Sequence, residues 1–109
     1  MAEPTLAQVF GDNATQDSSN LTISKADLAA IGLTASSSNT AESLFVALML
    51  KAARYLNETN QSTNNDIQVT INEGFGSLVT RNNQSYRQYQ YIVEMQKLDT
   101  ATAVNPVDF

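Results

Sequence analysis

Cysteine, histidine and tryptophan are absent from the 109 residues. Without cysteine there is no disulfide, no thiolate metal site and no sulfur nucleophile. Without histidine the chain lacks the usual proton shuttle near neutral pH and the commonest transition-metal ligand. No metal and no cofactor are expected. Positive charge is scarce as well: six Lys and Arg stand against eleven Asp and Glu, a formal net charge of −5. The six (Lys25, Lys51, Arg54, Arg81, Arg87 and Lys97) form no run. Phosphate binding rests on clustered cations, so nucleic acid is not an expected partner. Long apolar runs are missing too. The longest covers residues 44–50, far short of the ~20 residues that span a bilayer, and no membrane partner is expected. The first ten residues hold Glu3, Pro4 and no basic residue, unlike a secretory leader. A cytoplasmic location, or assembly into a virion, is the expectation.

Uncharged polar residues fill the space left by these absences. Forty residues are Ser, Thr, Asn or Gln, concentrated in three patches at 11–20, 36–40 and 60–65 that read as loops. Five Asn-x-Ser/Thr triplets begin at Asn13, Asn20, Asn57, Asn60 and Asn83; with no leader in view they read as a by-product of composition. A hydrophobic fraction of 42% suffices for one core, and the length fits a single domain over residues 1–109.

Residues 5–10 are short and apolar, open to either strand or helix. Leu21, Thr22 and Ile23 alternate like a short strand. Ser24 can cap a short helix over about 25–31, with Asp27 near its start and Gly32 at its end. A main helix is expected over about 40–57, capped by Asn39 or Thr40. At 100° per residue, Ser43, Ala47, Lys51, Arg54 and Glu58 share one narrow stripe, while an apolar arc fills well over half the circumference. Cover on more than one side is therefore expected, from the same chain or from a neighbouring subunit.

Beyond residue 65 the period changes to two. Ile67, Val69 and Ile71 alternate with Gln68, Thr70 and Asn72, a half-buried strand. Gly74-Phe75-Gly76 interrupts it, residues 77–81 resume it, and residues 81–85 read as a turn because Asn tolerates positive φ. A long last strand is expected over about 86–98, with Tyr89, Tyr91, Val93 and Met95 on one face. Residues 99–109 lack any period and read as an extended or flexible arm. The sum is an α+β fold: an antiparallel sheet of about four to five strands on one long helix, plus a short helix.

Catalytic patterns are weak. No calcium-loop motif is present, although 11–13 and 64–66 are oxygen-rich turns. Glu73 and Glu94 could face each other across strands, but nothing in the sequence places them there, and Glu94 on the polar strand face reads as a solvated charge. Ser24 beside Lys25 is explained by capping. The G-x-G at Gly74 lacks the rest of a phosphate-binding fingerprint. It can bring the backbone close to a ligand, present Phe75 as an anchor, or form a turn or bulge with Phe75 in the core. Tyr86, Tyr89, Tyr91 and Arg87 form an aromatic and basic cluster, whose ordinary role is a strand with hydroxyls at the rim.

The stretches 21–35 and 39–52 (LTISKADLAAIGLTA and NTAESLFVALMLKA) resemble small open reading frames of cyanobacterial and phage type. That resemblance carries no functional residue with it. The expectation is a non-enzymatic structural protein that self-associates or docks in a larger assembly, such as a phage particle, through Val46, Leu50, Ala53, Val104, Val107 and Phe109. Removing residues 100–109 should then weaken assembly more than folding. The alternative is a small ligand-binding or regulatory module with a pocket near Phe75, Tyr89 and Tyr91.

Overall fold

The computed structural model describes residues 2–99 and 103–109. The first segment resolves as helix α1 (Leu6–Phe10), closed by a capping box in which Thr5 and Gln8 each bind the other's backbone amide. Strands β1 (Thr15–Gln16) and β2 (Leu21–Thr22) form a small hairpin. Its turn is organised by Asp17, whose Oδ1 accepts from the amides of Ser19 at 2.8 Å and Asn20 at 2.7 Å. The expected short helix is a 3₁₀ helix, Lys25–Ile31. Ser24 caps its start, and Gly32, left-handed at φ 111°, ends it.

Helix α2 (Ala41–Ala53) starts on Thr40, whose hydroxyl accepts from the amide of Ser43. It stops four residues short of the expected end. Asn57 explains the stop. Its amide donates to the carbonyls of Ala53 and Arg54, satisfying two orphaned acceptors, while its Oδ1 caps helix α3 (Glu58–Gln61). The freed carbonyl of Leu56 accepts from Ile71 at 2.8 Å, stitching the helix terminus to the sheet.

Strand β3 (Val69–Glu73) pairs antiparallel with β6 (Tyr91–Met95), and β4 (Ser77–Arg81) with β5 (Gln84–Gln88). The fold is α+β, with a long helix, a short helix and antiparallel strands, and the strands are distributed over three two-stranded ladders. The last two ladders form one long bent hairpin. Glu73 faces Tyr91 and Ser77 faces Gln88, so three residues of one strand oppose two of the other. That is a β-bulge. Gly74 donates to the carbonyl of Gln90 across it, at 2.7 Å, and a β-carbon at Gly76 would meet the carbonyl of Gln88 at 3.2 Å. The bulge also divides the expected long last strand at Tyr89 and Gln90. At the tip, Asn82 and Asn83 both take positive φ (50° and 58°), the pattern of a two-residue hairpin turn.

The core is small. Among the described residues, the buried apolar side chains are Leu28, Ala47, Ala52 and Ile67. Two sequence expectations change here. Ala47 lies on the stripe expected to be polar, yet it is buried: both α1 and the 3₁₀ helix pack on α2, and Arg54 of that stripe donates to the carbonyl of Ala30. Thr70 lies on the expected polar face of β3, yet it is only 2% exposed. Helix α3 covers that face, reaching Asn72 through Glu58.

The C-terminal segment folds back on the chain. Asp108 pairs with Lys97 at 2.6 Å, and Phe109 lines a cleft with Pro4, Val9, Leu56 and Val69. Residues 100–102 of the expected arm lie outside the described residues. The molecule measures 47 × 33 × 26 Å, with a radius of gyration of 16.2 Å. A compact domain of this length has about 13 Å.

Candidate interaction surface

Three residues of α2 share one face because they stand four and three positions apart: Val46, Leu50 and Ala53. In the structure they line an open trough between α2 and the end of the 3₁₀ helix. Ile31 and Leu33 form the opposite wall, Glu42 stands at one end, and Arg54 and Tyr91 stand at the other. Leu50 and Ile31 belong to both halves of this trough. Val46 is 48% exposed; Leu50, Ala53 and Tyr91 are half-buried. The larger hollow, about 470 Å³, has the size of a small-molecule site. It opens to solvent along its length and so lacks the enclosure such sites have.

The structure thus brings together Val46, Leu50, Ala53 and Tyr91 from among the sequence candidates. The others lie elsewhere. Phe75 projects from the bulge at 91% exposure, and Tyr89 beside it at 72%. Phe75 is therefore not in the core, one of the roles open to it from sequence. Val104 and Val107 are exposed, whereas Phe109 is half-buried in the cleft of its own chain. Ile31, Leu33 and Leu78 were missed. Ile31 and Leu33 flank Gly32, and only the tertiary turn there sets them opposite α2. Leu78 read as an ordinary strand residue; it is 66% exposed, on a hairpin whose main contacts among the described residues are between β4 and β5 themselves.

The other chemical groups singled out in the sequence are placed as follows. Glu73 pairs with Tyr91 and Glu94 with Thr70, two register positions of opposite parity, so the two acids sit on opposite faces. Ser24 caps the 3₁₀ helix, and Lys25 donates to the carbonyl of Ser36. In the oxygen-rich turns, Asn13 donates twice to Asp27, and Asn64 binds the carbonyl of Ala2 and the amide of Asp66. Among the described residues, no group of three or more acids converges as a metal site, and no helix is long and apolar enough to cross a membrane. Tyr86 is engaged by Arg81, whose guanidinium lies 4.2 Å from the ring centre.

No family model, curated protein or solved structure matches the chain.

Proposed function

We propose that this chain is a non-catalytic building block that associates with copies of itself, as subunits of a phage or virion particle do. One observation carries the reading: the chain exposes 8052 Å², where a folded monomer of 11.8 kDa exposes about 5,900 Å². Large apolar side chains are among the exposed residues. Phe45, Val46, Phe75, Leu78, Ile92, Val93 and Met95 are all at least 46% exposed. Both faces of β6 contribute, Ile92 on one and Val93 and Met95 on the other. Exposed apolar area on this scale is what subunit association removes from water. The lack of histidine and cysteine, and the separation of Glu73 from Glu94, support the non-catalytic part.

Light scattering coupled to size exclusion, over a series from low to high micromolar, tests it. Oligomers that grow with concentration are expected. A monomer across the whole series refutes self-association.

A further inference from the structure

Among the described residues the β4–β5 hairpin makes its main contacts within itself, and an isolated two-stranded hairpin is marginal in water. It is also free of acids. Residues 74–93 contain Arg81 and Arg87 and no acid. The remainder of this −5 chain therefore carries −7. Arg81 is spent on Tyr86. Arg87 stands directly across the ladder from Leu78, on the same face, so this face presents an exposed leucine beside an exposed guanidinium.

The α2 trough has the matching chemistry: apolar Val46 and Leu50, with the carboxylate of Glu42 at one end. Among the described residues neither Glu42 nor Arg87 forms an ion pair. The lengths also agree. A five-residue strand runs about 17 Å at 3.4 Å per residue, and α2 from Glu42 to Ala53 runs about 17 Å at 1.5 Å per residue.

We propose that the β4–β5 hairpin of one copy lies in the α2 trough of a second copy, with Leu78 against Val46 and Leu50 and Arg87 paired with Glu42. This rests on the self-association reading and names its contact. The charge pair fixes direction, because a reversed hairpin would bring Arg87 to Arg54. The contact is heterologous: each copy offers one hairpin and one trough. Copies can therefore continue into rings or filaments.

Charge exchange tests it. Arg87→Glu and Glu42→Arg, each exposed and so compatible with folding, should each weaken self-association about tenfold, the loss of roughly 1.4 kcal/mol of charge-pair coupling. The double variant R87E/E42R should recover most of that loss. A hairpin variant (L78D) mixed with a trough variant (V46D) should form a one-to-one dimer, although neither oligomerises alone. Circular dichroism confirms the fold in every case. If the wild type is monomeric, the self-association reading itself fails. If the wild type oligomerises and the charge variants match it, or the double variant shows no recovery, the hairpin-in-trough contact is refuted while self-association stands.

Discussion

Gly11 lies hard against Asp27. A β-carbon added at Gly11 would come 2.5 Å from the β-carbon of Asp27, and Gly11 has φ of +115°. The carboxylate of Asp27 in turn holds the backbone amide and the side-chain amide of Asn13, each at 2.8 Å. One buried glycine thus lets the loop after α1 close over the 3₁₀ helix. Gly11→Ala faces both a disfavoured backbone conformation and a clash that neither partner's core atoms can avoid. A loss of about 2 kcal/mol or more is expected, read as a lower urea midpoint. An unchanged midpoint would mean that the loop is not docked in this way.

Asn57 links three elements with one side chain: it ends α2, starts α3, and leaves the carbonyl of Leu56 for Ile71. Asn57→Ala should cost about 1–2 kcal/mol, the usual range for a lost cap with additional bonds. The amide of Ile71 should lose protection in hydrogen exchange at the same time. Retained protection at Ile71 would show that the stitch forms without the cap.

Much of this local logic was legible in the sequence. Ser24 and Gly32 bracket the short helix, Thr40 opens the long one, and Asn82-Asn83 turns the hairpin, because capping and positive φ depend on residue type over a few positions. The end of α2 was not legible, since it depends on where one Asn side chain points. Nor was the buried stripe of α2: periodicity shows which residues share a face, and Ala47 shows that packing decides what covers it. The trough was half legible. The spacing of Val46, Leu50 and Ala53 defines its floor, while Ile31, Leu33 and Tyr91 arrive through tertiary turns that no local pattern encodes.

Asp17 gives a pH prediction. The amides of Ser19 and Asn20 hold its carboxyl below the ordinary value of 3.8, by favouring the charged form. A lowered folded pKa means that the carboxylate favours folding above about pH 3.8 and that this contribution fades as pH falls through the lower folded value. An NMR titration should place the Asp17 midpoint under 3.8, and Asp17→Asn should flatten that part of the acid limb of the stability curve. A midpoint at or above the ordinary value would mean that the β1–β2 turn is open in solution.

The hairpin tip separates local from global stability. Asn82 and Asn83 both hold positive φ, which alanine tolerates poorly. Asn83→Ala should destabilise the tip by about 1 kcal/mol. Because the main contacts of β4 and β5 among the described residues are with each other, the cost should appear as faster hydrogen exchange over residues 77–88 in monomer at high dilution. The global urea midpoint should hold. A matching fall in the global midpoint would show that the hairpin folds as one unit with the body.

The C-terminus bears on one expectation from sequence. Residues 100–109 read as an arm whose loss should weaken assembly more than folding, yet Phe109 lies in a cleft with Val9, Leu56 and Val69 of its own chain. Phe109→Ala should therefore lower stability by about 1–2 kcal/mol through lost apolar burial. Asp108→Asn should cost well under that, because its pair with Lys97 is 39% exposed on the acid side and such pairs are screened. The ratio of the two losses is the informative quantity. A larger loss from Asp108→Asn would mean that charge, rather than the ring, holds the segment down. No loss from Phe109→Ala would return the arm to an intermolecular role, with Val104 and Val107 beside it as exposed apolar residues.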